Sequence, residues 1–333
     1  MPDERSSQPA LKRQRIDDTE ESSHTSAIRH EKHWYSDGSI VLHVDNTLFR
    51  VHQTILAGRS AVFKDMLQVP QPVAEEMEEG CHVVRMAGDE SCDWCTLLDA
   101  LYNSMEYFDQ LSTEELDDSF TAISSILRLS TKYRITVFRR KCIYLLSQGF
   151  PSTSDYWEPD TIPEPKLAAQ MIMLGRATNA TTLLPSAFLL AASGPKDKIY
   201  EGIEISAADK NILYHGLLII WRSQTGGILP FVYEQIVPSE CQLGGCVKPA
   251  YFSPQHLHSE QGIYLFGLQD IVSALREDEY TICDACEQEV RRIITQGQQE
   301  LWVRLPQIFM LGKDWKELKR LQEYDDDLEG NCQ

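Results

Sequence analysis

The chain has 333 residues, enough for two domains of ordinary size. Its 31 lysines and arginines stand against 50 aspartates and glutamates, and the formal charge of −19 repels nucleic-acid phosphates unless a basic patch is segregated, which the sequence does not show in its foldable part. No apolar run approaches the roughly 20 residues of a spanning helix, no apolar leader follows a basic start, and the 9 cysteines are an odd number, so the expected setting is a reducing intracellular one, nucleus or cytoplasm, with no membrane partner.

Residues 1–33 read as a disordered tail, rich in Ser, Glu, Asp and Arg and poor in large apolar side chains that could offset the entropy of ordering. Lys12-Arg13-Gln14-Arg15 within it has the look of a short nuclear-import address, or of a solvated basic spot. From Ser39 the pattern changes. Ile40, Leu42 and Val44 alternate with Ser39, Val41 and His43, and Leu48-Phe49-Arg50-Val51 follows an Asp45-Asn46 turn, which predicts a half-buried hairpin. After His52, the residues Ile55, Leu56, Ser60, Phe63 and Leu67 recur at helical spacing, with Gly58 and Ser60 offering a break and a new N-cap between two short helices. Val83-Val84-Arg85-Met86 predicts a further strand, and Trp94, Leu97, Leu98, Leu101 and Tyr102 share one helical face. Ser112 and Glu115 form a capping-box pattern ahead of a helix with Phe120, Ile123 and Leu127; Thr136 is the expected cap of the next, which Gly149 and Pro151 stop.

This order of elements, with Asp37 opening the first strand, Phe49-Arg50-Val51-His52 leading into Ile55-Leu56-Ala57-Gly58-Arg59-Ser60, and Phe63 and Met66 following, resembles the BTB/POZ domain over residues 34–150. Leu97–Tyr102 and Leu127–Tyr133 match that domain's later helices. Asp37, His52, Leu56, Ser60 and Phe63 are the residues expected to define the fold. The closer likeness is to BTB proteins numerous in mushroom-forming fungi, whose helical second half ends in a cysteine pair and a Trp/Leu-Pro segment, as Cys283-Asp284-Ala285-Cys286 and Trp302-Val303-Arg304-Leu305-Pro306 do here. The resemblance implies an α+β fold class, a small sheet flanked by helices followed by a mostly α-helical domain. It also implies partners that are other proteins, a second copy through the BTB domain among them. The tail lacks the apolar residues that strand-swapped BTB dimers use, and Gln53 stands where relatives with a charged corepressor pocket carry an arginine.

Residues 151–320 read as a helical domain: Leu167, Met171 and Leu174 share a face, Ser206 precedes Ile212, Leu213, Leu217 and Ile220, and Leu265, Leu268, Ile271, Val272 and Leu275 form another stripe. Residues 321–333, with Asp325-Asp326-Asp327, read as an acidic tail. Sulfur is the chemistry most worth weighing. Cys241 and Cys246 flank a Gly-Gly turn and Cys283 and Cys286 form a C-x-x-C pair at a helix start, so together they offer four thiolates for a structural zinc, with His256 or His258 as a substitute ligand; the alternative is a set of buried or surface thiols. Cys92-Asp93-Trp94-Cys95 is a second C-x-x-C, placed on a helix that favours packing over metal. His43 and His52 read as surface and structural residues, and Trp302, Leu305, Phe309, Leu311 and Trp315 as helical core or an interaction patch.

No phosphate-cradling Gly-Lys loop, H-E-x-x-H helix or nucleophile elbow is present, so a non-enzymatic role is expected, with no catalytic residue and no bound organic cofactor. The absence of a paired Cys2His2 finger argues against direct DNA reading. The reading that follows is an interaction adaptor that links, for example, a cullin-type ubiquitin ligase to a substrate; the alternatives are a nuclear transcriptional co-regulator acting through protein partners and, further off, an uncharacterised enzyme.

Overall fold

In a computed structural model the described residues are 27–69, 76–113, 115–153, 165–193, 205–223, 230–232, 235, 237–241, 244, 246 and 282–327. The stripe Leu265–Leu275, the pair His256 and His258, and Lys12–Arg15 lie outside them.

The expected hairpin is there. Strands β2 (Ile40–Val44) and β3 (Thr47–Val51) pair antiparallel with Val44 opposite Thr47, so Asp45 and Asn46 form the connection, Asp45 at φ 49° as such tight hairpin turns require. Two further strands follow, β4 (Met77–Glu78) and β5 (Cys81–Arg85), the latter parallel to β2. A strand that the sequence did not suggest, β1 (Ile28–Trp34), lies parallel to β3 and gives the sheet order β1-β3-β2-β5-β4. Residues 28–33, expected to belong to a disordered tail, are part of this strand. Arg29, Glu31 and Lys32 on β1 face solvent and give it a tail-like composition, while its pairing comes from backbone hydrogen bonds.

The sheet curls. Arg29 on one edge hydrogen-bonds to Glu78 and Glu79 beside the other edge, and Arg50 reaches Glu79 at 3.0 Å. One sheet face carries Ile40, Leu42, Val44, Phe49 and Val51 into the main core; the other carries Val41, Leu48 and Cys81 under Trp34. That alternation is the period-2 pattern of a strand pair with both faces covered.

Helices α1 (Gln53–Arg59) and α2 (Ala61–Met66) meet at Ser60, whose hydroxyl caps α2 by accepting from Phe63 N at 3.1 Å and donates to Tyr133 O at 2.5 Å. Helices α3 (Ser91–Tyr102), α4 (Ser104–Thr113), α5 (Leu116–Lys132) and α6 (Thr136–Leu146) complete this half. The expected capping box is not formed: Ser112 lies in the last turn of α4, bonded to Asp109 O, and Glu115 alone precedes α5. Thr136 likewise starts α6 as its first residue, with Ile135 at the cap.

Asp89, in the loop between β5 and α3, is buried and gathers three donors: Trp94 Nε1 at 2.9 Å, Lys132 Nζ at 2.6 Å and the Tyr133 hydroxyl. Around it the rings of Phe63, Trp94 and Tyr133 lie 5.0 to 6.0 Å apart. Burial, with the hydrogen bond to Asp89 second, raises the Tyr133 phenol above its ordinary value and keeps it a donor.

The second half is helical as expected: α7 (Pro165–Ala177), α8 (Leu184–Ala192), α9 (Ala207–Ser223), α10 (Asp284–Ile308) and α11 (Trp315–Asp327). Every residue of α8 is buried. Gly216 on α9 allows close approach, since a Cβ there would overlap the Phe309 ring. Helix α11 extends to Asp327 and buries Leu318 and Gln322, so the expected acidic tail from residue 321 begins inside a helix. Among the described residues the halves are tied by the buried Arg139 of α6, which donates to Thr178 O at 2.6 Å and Asn179 O at 3.3 Å, and by α5 packing on α7, while Trp302 Nε1 donates at 3.2 Å to Ser152 O just past the first half. One continuous cluster of buried residues runs from β2 to α10.

Asp89→Ala removes the buried acceptor of Trp94 Nε1 and the Tyr133 hydroxyl, while Lys132 Nζ keeps Ala87 O at 3.0 Å, so it is expected to cost about 2–4 kcal/mol of unfolding free energy. Denaturant unfolding checks this, with Asp99→Ala, at a more exposed carboxylate, as the comparison.

Candidate metal centre and interaction surface

The four cysteines expected to act together do meet. Cys241 ends a turn closed by its own N–H to Pro238 O at 3.0 Å, and Gly244, two residues before Cys246, takes φ 71°, a conformation that favours glycine. Cys283 is the N-cap of α10 and Cys286 sits in its first turn, so the C-x-x-C spacing places both sulfurs at one helix start. Their four Sγ atoms lie within 4.8 Å of one another; Cys241 is 3.6 Å from Cys246 and 3.8 Å from Cys283. A tetrahedral thiolate site with metal–sulfur bonds of about 2.3 Å needs sulfurs about 3.8 Å apart, so this cluster can hold a metal ion. The backbone N–H of Cys283 points at Cys246 Sγ, 3.5 Å away, the type of donor that steadies a thiolate. Cys246 and Cys286 are buried, and Cys241 and Cys283 half-buried. Burial is the main cause that raises Cys246 and pushes Cys286 up to about 12, and a cation bound here would displace the thiol protons.

The other C-x-x-C does not form a pair. Cys92 is exposed beside Glu90, whereas Cys95 turns inward to His30 Nε2 at 3.2 Å; Glu90, Cys92 and Asp93 form the only other metal-capable grouping among the described residues. Trp302, Leu305 and Phe309 are buried and Trp302 stacks on Trp315, which places them in the helical core.

The residues marked in the N-terminal half serve packing and local hydrogen bonding. Leu56 and Phe63 are buried, and Ser60 makes the two bonds above. His52 joins the Tyr102 hydroxyl through Nδ1 at 2.7 Å and Asp37 through Nε2 at 3.3 Å; Asp37 itself is largely solvent-exposed, and the His52 hydrogen bond lowers its carboxyl below the usual range. Gln53 is exposed, with its N–H on Ser39 Oγ. His43 is half-buried on β2.

Residues 29–149 match the sequence profile of the BTB/POZ domain family. This segment is a BTB/POZ domain. The match begins inside β1 and ends just after α6, so β1 belongs to the BTB domain and the helical half follows it. No curated protein matches the chain. BTB domains are protein-interaction modules, and no described helix is long and apolar enough to cross a membrane.

Sequence reasoning missed a group that fastens β1 to the BTB domain. His33 is 1 % exposed; its Nε2 approaches Asp99 Oδ1 to 2.9 Å without hydrogen-bond alignment, and its ring stacks on His30 at 5.1 Å. Lys32 holds the same carboxylate at 2.6 Å. The available signal was the H-x-x-H spacing, hidden in a charged segment. Burial lowers the His33 pKa against the opposing pull of Asp99. A folded pKa below the unfolded one means the unfolded chain takes up protons first, so stability is present at pH 7 and falls once pH drops below about 6.5, until the depressed folded pKa is passed. Wild type is expected to lose stability relative to His33→Gln between pH 7 and that point; chemical denaturation at stepped pH checks it, and a constant difference would contradict it.

Proposed function

We propose that this chain is a non-enzymatic adaptor whose BTB domain recruits one protein while the helical half engages another. The observation that carries the reading is a BTB domain packed against a second helical unit through Arg139 and the α5–α7 contact, so that one chain presents the surfaces of both. Two places suit a partner. Met105 on α4 is 79 % exposed beside Glu106 and Asp109, and a groove of about 370 Å³ between α5 and α7, lined by Phe120, Ser124, Arg128, Gln170, Met173 and Leu174, spans the junction. A cullin-type ligase scaffold is the BTB partner in this reading, and a second copy of the chain the further one; the likeness to fungal BTB proteins rests on Cys283, Cys286 and Trp302–Pro306.

We also propose that Cys241, Cys246, Cys283 and Cys286 hold structural zinc. Four thiolate donors at tetrahedral spacing favour Zn²⁺ over the oxygen-seeking cations, and the ion would tie the 237–246 segment to the start of α10.

Two measurements bear on these readings. Affinity capture with the full chain should recover protein partners, and Met105→Glu or Met173→Glu should weaken at least one of them about tenfold with unchanged unfolding; direct titration with a purified cullin N-terminal region decides the ligase link, and no binding removes it. Elemental analysis of protein purified under reducing conditions should find about one zinc per chain, lost in Cys283→Ser/Cys286→Ser.

A further inference from the structure

We propose that the four-cysteine site is a peroxide-responsive clasp, in which Cys241 is the sulfur oxidised first and closes a disulfide with Cys246 that expels the metal. The inference rests on the zinc reading and adds regulation to it.

Access and distance single out Cys241. Cys246 and Cys286 are 5 % and 1 % exposed, whereas Cys241 is half-buried, so a small oxidant in water meets Cys241 before either of them. Cys283 is also half-buried, but it is the N-cap of α10, so moving it disturbs the helix start. Cys241 belongs to no helix, its N–H being held by Pro238 O, and it touches both neighbours, Cys246 at 3.6 Å and Cys283 at 3.8 Å. A disulfide needs sulfurs about 2.0 Å apart, so one sulfur has to move, and Cys246, five residues on, can close on Cys241 while Cys283 stays in place as the cap of α10.

The chemistry balances with hydrogen peroxide as the oxidant. The Cys241 thiolate attacks one peroxide oxygen, the O–O bond breaks, and hydroxide leaves as a sulfenic acid forms on Cys241. The Cys246 thiolate then attacks that sulfur and displaces a second hydroxide. Two sulfurs lose two electrons in total, both peroxide oxygens are reduced, and two protons convert the two hydroxides to water. A disulfide is a poor ligand, so the zinc keeps only Cys283 and Cys286 and is released with those two thiols free. The effect is local. The far half of α10 stays anchored by Leu301, Trp302, Leu305 and Ile308 in the core, so oxidation detaches the 237–246 segment from the start of α10 and leaves the BTB domain folded.

The test uses the full chain purified with its metal. One equivalent of hydrogen peroxide is added, released zinc is read with a colorimetric chelator, and disulfides are mapped by peptide mass spectrometry. About one zinc released per chain, a Cys241–Cys246 disulfide, and recovery of zinc binding after a thiol reductant and added zinc are the expected results; Cys92→Ser, which removes an exposed thiol elsewhere, should behave as wild type. Zinc retained while peroxide is consumed, or zinc lost through a disulfide that omits Cys241, overturns the clasp and leaves the zinc reading standing. Protein that carries no zinc at the outset overturns both.

Discussion

The carboxylate of Asp89 is the point on which the BTB half depends. Buried without partners it would carry a large desolvation cost; here Trp94, Lys132 and Tyr133 each supply a donor, and the three come from two helices and the end of one of them. All three bonds form together only when the β5–α3 loop, α3 and the end of α5 are in register. The Phe63, Trp94 and Tyr133 rings close over the same point, and Ser60 links it to α2 by donating to the Tyr133 carbonyl. One buried carboxylate thus collects donors from the β5–α3 loop's two neighbouring helices, α3 and α5, and joins them at one point.

From that centre the order propagates outward through buried cations and aromatic donors. Arg139 carries it from α6 into the turn after α7 by donating to the Thr178 and Asn179 carbonyls, and Trp302 carries it from α10 back to Ser152, just beyond the BTB domain. The helical half is then closed on itself by Arg176 with Asp209 and by Thr181 and Thr182 against α11. The four-cysteine cluster sits at the opposite end of α10 from Trp302, so a single 25-residue helix runs between the cluster and the residues that contact Ser152.

Much of this was legible because it is local. The β2–β3 hairpin announces itself by alternation around Asp45-Asn46, the α1–α2 break by the capping power of Ser60, and the start of α10 by Cys283-Asp284-Ala285-Cys286. Where several signals compete, locality misleads: Ser112 and Glu115 have capping-box spacing, but Ser112 gains more by remaining in the last turn of α4. Helix α8 was missed because it is buried on every side, and an all-round apolar run has no period to read. Strand β1 was missed for the opposite reason, since its side chains are mostly charged and its pairing with β3 lies in backbone groups that composition does not report.

The sequence by itself determined that residues near 34–150 would form a BTB-like sheet and helices, that a helical half would follow, and that thiols were its most distinctive chemistry, because turns, caps and hydrophobic periods act over a few residues. Only the tertiary structure decided that His33 finds Asp99, that Asp89 collects its three donors, and that Cys246 meets Cys283 across 37 residues of chain. Each of these joins groups far apart in sequence, whose encounter is set by how the whole core packs rather than by any local preference.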